Sequence, residues 1–166
     1  IQVTVGGNNV YENVEIDYRM SSLKAKDILA ILNGEKSETL PTVIESTEND
    51  NLFVFWSGHG VPGAMCWDEE PYAMTGDDLS TVFKDMNLKR RYRKLLMMVE
   101  ACFSGGVMEQ CEGIPGMLFI TAANGDETSK ADVFNGEMKV WMSNRFTSTF
   151  IEQITDNKDV AMRDLY

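Results

Sequence analysis

The sequence is short of the side chains from which many catalytic and metal-binding sites are built. It holds one histidine, His59, and three cysteines in 166 residues. One imidazole cannot make a His-rich zinc site, and there is no Cys-x-x-Cys pair, so a structural metal is not expected. Any chemistry that needs an imidazole base must use His59. Cys66, Cys102 and Cys111 are odd in number, which leaves at least one thiol outside any intramolecular pair. Basic residues are also few, 15 against 26 acidic ones, for a net charge of −11. A surface this acidic repels nucleic acid and anionic lipid. The one basic cluster, Lys89, Arg90, Arg91, Arg93 and Lys94, reads as the solvated flank of a strand. No apolar run approaches the roughly 20 residues of a membrane span. No Asn-x-Ser/Thr sequon is present, so glycosylation gives no argument for secretion.

What is present describes one globular domain over 1–166, with 43% hydrophobic and 25% charged residues. The alternating run 1–5 suggests a short strand. Ser22 is a candidate cap for a helix over 23–32, stopped by Asn33 and Gly34, and 35–51 reads mostly as loop. Strands are expected at 52–57, 94–101 and 116–123, all apolar enough for burial on both faces. A helix over 76–86, with Thr75 as its cap, falls between the first two. Residues 124–140 read as a turn-rich loop, a helix from Ser143 or Asn144 runs through Ile154, and Asn157 caps a last short helix. Strands alternating with helices predict a mainly parallel sheet with helices on both faces.

Two of these strands end in reactive residues. The run 52–56 leads into Ser57, Gly58, His59 and Gly60, and 95–99 leads into Glu100, Ala101, Cys102, Phe103, Ser104, Gly105 and Gly106. Open α/β sheets place their sites outside the carboxyl ends of the strands. Ordinary cysteine, with a pKa near 8.5, is only a few per cent thiolate at neutral pH. A neighbouring imidazole can take the thiol proton, stabilise the thiolate as imidazolium, and then protonate a leaving amine. Gly58 and Gly60 allow close backbone approach around His59. The N–H groups of Gly60 and Cys102 can serve as an oxyanion hole. Taken singly, a histidine after a strand is usually structural, and a cysteine at a buried strand end is usually a small hydrophobe. The pairing, each beside glycine at a strand end, favours chemistry. Cys66 and Cys111 lack this setting and read as structural or incidental.

At these residues the chain resembles the legumain-like cysteine peptidases, a group that includes the asparaginyl endopeptidases and the catalytic subunit of the glycosylphosphatidylinositol transamidase, within the caspase-like clan. The similarity rests on Phe-Trp-Ser-Gly-His-Gly at 55–60, Arg-Arg-Tyr-Arg-Lys at 90–94, Glu-Ala-Cys-Phe-Ser-Gly at 100–105 and Thr-Ala-Ala-Asn at 121–124. The segment from Tyr11 through Asp17 and Tyr18 to Gly34 adds to it. The resemblance implies a caspase-like three-layer α/β fold. It implies Cys102 as nucleophile, His59 as general base and acid, and Gly60 with Cys102 as oxyanion donors. It also implies that Glu100 and Ser129 line the pocket for the residue before the scissile bond, with Asn144 standing where relatives carry a second pocket acid. Glu100 could instead be a carboxylate satisfied by local backbone N–H groups. If it lines the pocket, it disfavours aspartate there and suits asparagine or a basic residue.

The family fold begins with a strand, a helix and another strand ahead of the position of Ile1. The resemblance therefore leads us to expect that 1–166 is a fragment, completed by a preceding segment or a companion chain beside the 52–57 strand. The expected activity is hydrolysis of peptide or protein substrates through an acyl-thioester. Transfer of the acyl group to an amine, as in a transamidase or ligase, and a non-catalytic caspase-like binding domain are the alternatives. Relatives of this kind work in lysosomes, vacuoles, the endoplasmic reticulum or the bacterial envelope, which favours an extracytoplasmic location.

Overall fold

The computed structural model describes residues 12–67 and 70–156. The expected strand at 1–5 and the last short helix lie outside them. The chain divides into two compact units, one formed by 16–128 and the other by 1–15 with 129–166.

The larger unit is built on a parallel sheet. Its strands are β1 (Asn51–Ser57), β5 (Lys94–Glu100) and β6 (Met117–Thr121), in the order β1-β5-β6. Between β1 and β5 the chain makes a small antiparallel sheet of β2 (Gly60–Val61), β3 (Ala64–Trp67) and β4 (Glu70–Thr75). The helices are α1 (Ala25–Asn33), α2 (Gly76–Leu88) and the short α3 (Ser104–Met108). This is the α/β, parallel-sheet architecture that the sequence predicts.

Local chemistry explains the helix boundaries. Thr75 caps α2 as expected: its hydroxyl accepts the Asp78 N–H at 3.2 Å, and Asp78 accepts the Thr75 N–H at 3.0 Å. Ser22 does not cap α1. Its hydroxyl donates to the Arg19 carbonyl and closes a 3₁₀ turn, while α1 starts after Lys24, whose N–H donates to Asp27 at 2.7 Å. Gly34 ends α1 in the left-handed region (φ 69°), and the Arg91 guanidinium fills the space that a Cβ there would need. Arg91 also donates to the carbonyls of Asn33 and Ile44, which pins the 34–50 loop over the helix end.

The core lies on one face of the sheet. Leu52, Val54 and Trp56 of β1, Leu95, Met97 and Val99 of β5, and Met117 and Phe119 of β6 pack there. They meet Ile28, Leu29 and Leu32 of α1 and Leu79, Phe83 and Met86 of α2. Burial of this kind is worth about 25 cal/mol per Å² of apolar surface. Strand β5 is central and largely buried, as its continuous apolar run predicts. Strand β1 is not buried on both faces: Phe53 and Phe55 remain 58% and 40% exposed, and Leu118 of β6 is exposed in the same register row as Phe53. Helices α1 and α2 pack on the opposite face, that of Leu52, Val54 and Trp56. Among the described residues β1 pairs only with β5 and forms an edge of the sheet.

The second unit holds an antiparallel hairpin of β7 (Ala131–Asn135) and β8 (Val140–Asn144), followed by α4 (Arg145–Asp156). The hairpin replaces part of the loop expected over 124–140. Asn135 turns it, its side-chain oxygen accepting the N–H groups of Glu137 and Met138 at 2.9 and 3.0 Å. No described helix is long and apolar enough to cross a membrane.

Candidate active site

Parallel pairing in register, Ser57 opposite Glu100, brings the carboxyl ends of β1 and β5 out at the same edge of the sheet. The chain beyond each strand then continues the contact. The Gly58 N–H donates to the Glu100 carbonyl at 3.1 Å. Gly60 lies so close to the other segment that a Cβ on it would collide with the Cys102 carbonyl oxygen, and would sit 3.2 Å from the Cys102 carbonyl carbon and 3.3 Å from the Ala101 Cβ. His59 is thus flanked by two glycines, each touching the 100–102 segment. Its own carbonyl accepts the Cys66 N–H at 2.9 Å, which ties the histidine loop to β3.

That bond also orients Gly60. With His59 and Cys66 forming a hydrogen-bonded pair at the mouth of the β2–β3 ladder, the next pair, Gly60 opposite Met65, falls at the alternate position. In an antiparallel ladder the N–H of such a residue points away from the partner strand. The Gly60 N–H is therefore not consumed by β3.

His59 is exposed and borders a concavity of about 450 Å³, lined also by Met20, Phe55, Trp56, Cys66 and Trp67. Of these, Trp56 and Trp67 pack with ring centroids 5.3 Å apart, and the Trp67 indole donates to the Leu23 carbonyl at 2.9 Å. Cys66 was not singled out by its sequence setting. The fold nevertheless puts it in the same concavity as the only histidine, through a β2–β3 pairing that no local motif announces.

Cys102 is half-buried at the end of β5, and Glu100 beneath it is 1% exposed. The residue after Cys102, Phe103, has φ 57° and ψ 16°. A left-handed backbone at a bulky residue is uncommon and recurs at functional sites. It turns the chain sharply from β5 into α3. The structure therefore brings Cys102, Gly60, Glu100 and the His59 loop together in one unit. Ser129 and Asn144 belong to the other unit. Ser129 is half-buried, and Asn144 ends β8 opposite Ala131, its carbonyl accepting the Ser148 hydroxyl at 2.8 Å. Among the described residues no group of three or more His, Cys, Asp or Glu is placed to hold a metal ion.

All three cysteines are thiols, in different settings. Cys111 is 1% exposed, and burial pushes its pKa up to about 11. At pH 8 a thiol of that pKa is only ~0.1% thiolate, and the thiolate is the species that alkylates. Iodoacetamide at pH 8 should therefore modify Cys111 at least about a hundredfold more slowly than half-buried Cys66 or Cys102, read by peptide mapping of timed aliquots. Equal rates at all three would mean that the packing around Cys111 opens readily.

The Peptidase C13 family model matches residues 1–166. A hemoglobinase of Schistosoma mansoni is 37% identical over 123 residues, covering 72% of this chain and 27% of the relative. A vacuolar-processing enzyme of Ricinus communis is 33% identical over 127 residues, covering 74% of this chain and 25% of the relative. A legumain of Rattus norvegicus is 26% identical over 164 residues, covering 96% of this chain and 37% of the relative. The chain thus spans well under half the length of these curated relatives. With its paired strand ends and a match running from the first residue to the last, the chain belongs to the Peptidase C13 family.

Proposed function

We propose that the protein containing this chain is a cysteine endopeptidase with Cys102 as nucleophile and His59 as its base. The observation that carries the reading is the contact of the His59 loop with the Cys102 segment through Gly58 and Gly60. The imidazole removes the thiol proton, and the sulfur attacks the peptide carbonyl carbon. The oxyanion is met by the N–H groups of Cys102 and Gly60. Collapse breaks the C–N bond, and the amine leaves with the proton held by His59. Water, deprotonated by the same imidazole, then cleaves the acyl-thioester and restores the thiol. None of these steps needs a cofactor.

Glu100 is proposed to shape the pocket for the substrate residue before the cleaved bond. An aspartate side chain about 5 Å from an ionised Glu100 would be repelled by roughly 3 kcal/mol at an effective dielectric near 20, about a hundredfold in rate. Asparagine or a basic side chain escapes this repulsion. A panel of matched peptides carrying Asn, Asp, Arg or Lys at that position tests the reading. Cleavage is expected after Asn or the basic residues, with Asp about a hundredfold slower. Fastest cleavage after Asp would overturn the pocket assignment, and no cleavage of any member would overturn the peptidase reading.

A transamidase or ligase shares every step up to the thioester. Repeating the assay with an added amine nucleophile separates the two by product mass. Among the described residues β1 pairs only with β5 and leaves Phe53 and Phe55 exposed, which supports a further strand from a preceding segment or a companion chain. The printed name of the Ricinus communis relative, a vacuolar-processing enzyme, supports an extracytoplasmic setting.

A further inference from the structure

We infer that Glu127 is a positioning residue for the nucleophile, setting the plane of the peptide that joins Cys102 to Phe103. The inference rests on the reading of Cys102 as nucleophile. A trans peptide is planar, with its C=O and N–H pointing in opposite directions. In the Cys102–Phe103 peptide both ends are engaged. The Cys102 carbonyl faces Gly60 in the histidine loop, and the Phe103 N–H donates to the Glu127 carbonyl at 2.8 Å. Rotating this plane would move the Cys102 backbone relative to Gly60, and with it the proposed oxyanion hole.

The grip comes from one short turn. The Glu127 side chain closes it, Oε1 accepting the Asn124 N–H at 3.0 Å. Its main chain holds the nucleophile loop, and at the other end of the turn the Ala123 carbonyl accepts the Gly105 N–H at 2.9 Å and the Ser104 hydroxyl at 3.3 Å. Gly106 and Gly125 make the approach possible, since a Cβ on either would lie 3.1 Å from the other's Cα. Phe103 holds its left-handed backbone within this frame. Its N–H is committed to Glu127 and so takes no part in the oxyanion reading. Glu127 is exposed, so trimming its side chain opens the turn and not the core.

The test compares Glu127→Ala, Glu127→Asp and Glu127→Gln in the full-length protein, with Cys102→Ala alongside. Glutamine keeps an oxygen that can accept the Asn124 N–H, whereas aspartate keeps the charge and loses the reach. Glu127→Ala and Glu127→Asp should lower kcat about 10- to 100-fold with KM within about twofold, as expected for a displaced reacting group. Glu127→Gln should stay within about threefold of the parent. In the same samples, alkylation of Cys102 by iodoacetamide should slow in the alanine and aspartate variants while that of Cys66 does not. Unchanged kcat in Glu127→Ala, or equal damage from glutamine and alanine, would overturn the inference. If Cys102→Ala itself keeps turnover, the reading of Cys102 as nucleophile fails and the inference with it; if it is inactive while Glu127→Ala is fully active, only the role of Glu127 fails.

Discussion

Replacing Cys102 by alanine should lower kcat on a cleaved peptide by at least about 10⁴-fold, the scale seen when a nucleophile is removed from a site whose groups act as a unit. The argument is one of exclusion as well as geometry. Cys111 is sealed in the core with its thiol held protonated, so it cannot take over. Cys66 is the stronger rival, since it shares a concavity with His59. Its position differs in one respect: Cys66 lies within strand β3, its N–H bonded to the His59 carbonyl. Cys102 instead lies past the carboxyl end of β5, directly against Gly60, where open α/β sheets place their sites. Cys66→Ala should therefore retain kcat within about threefold. Steady-state kinetics of the two variants decides the matter. Loss of activity in Cys66→Ala with retention in Cys102→Ala would reverse the assignment.

The sequence was most informative where local rules and tertiary structure agreed. The strand ends of β1 and β5 were legible because continuous apolar runs stop abruptly at glycine-flanked polar residues. Helix α2 was legible because Thr75 and Asp78 form a local cap. The reading failed where pairing depends on distant partners. Strands β2 and β3 are two and four residues long, broken by Pro62 and Gly63, and no window that short carries a period. They nevertheless fix the His59 loop and bring Cys66 beside it. The β7–β8 hairpin carried only a partial signal: Asn135-Gly136 follows Phe134, but Glu137 and Lys139 interrupt the apolar residues beyond it. Its charged loop masked it. The contacts that brace Cys102, from Gly60 and from Glu127, involve backbone atoms almost alone, and backbone atoms leave no pattern in side chains.

Gly60→Ala is expected to have the second-largest effect, and its cause differs from the usual glycine argument. Gly60 is not among the residues with positive φ, so alanine can adopt its backbone conformation. The obstacle is contact: the added Cβ meets the Cys102 carbonyl oxygen and crowds Ala101. Neither side yields easily. The Gly60 strand is tied to β3, where Ala64 and Met65 are buried, and the Cys102 peptide is held from its far end by Glu127. Overpacking of this kind costs typically about 1–3 kcal/mol of stability. The activity loss should be larger in proportion, about 10²- to 10³-fold in kcat/KM, because the strain is relieved by separating the histidine loop from the proposed nucleophile. Gly63→Ala supplies the control. Gly63 has φ 79° with nothing within 4 Å of an added Cβ, so alanine there costs about 1 kcal/mol in backbone strain but touches no site residue. Thermal melts and kcat/KM for both variants should therefore dissociate: both destabilised, only Gly60→Ala inactive. A Gly60→Ala protein with the parent's kcat/KM would show that the His59 loop and the Cys102 segment do not need this contact to work together.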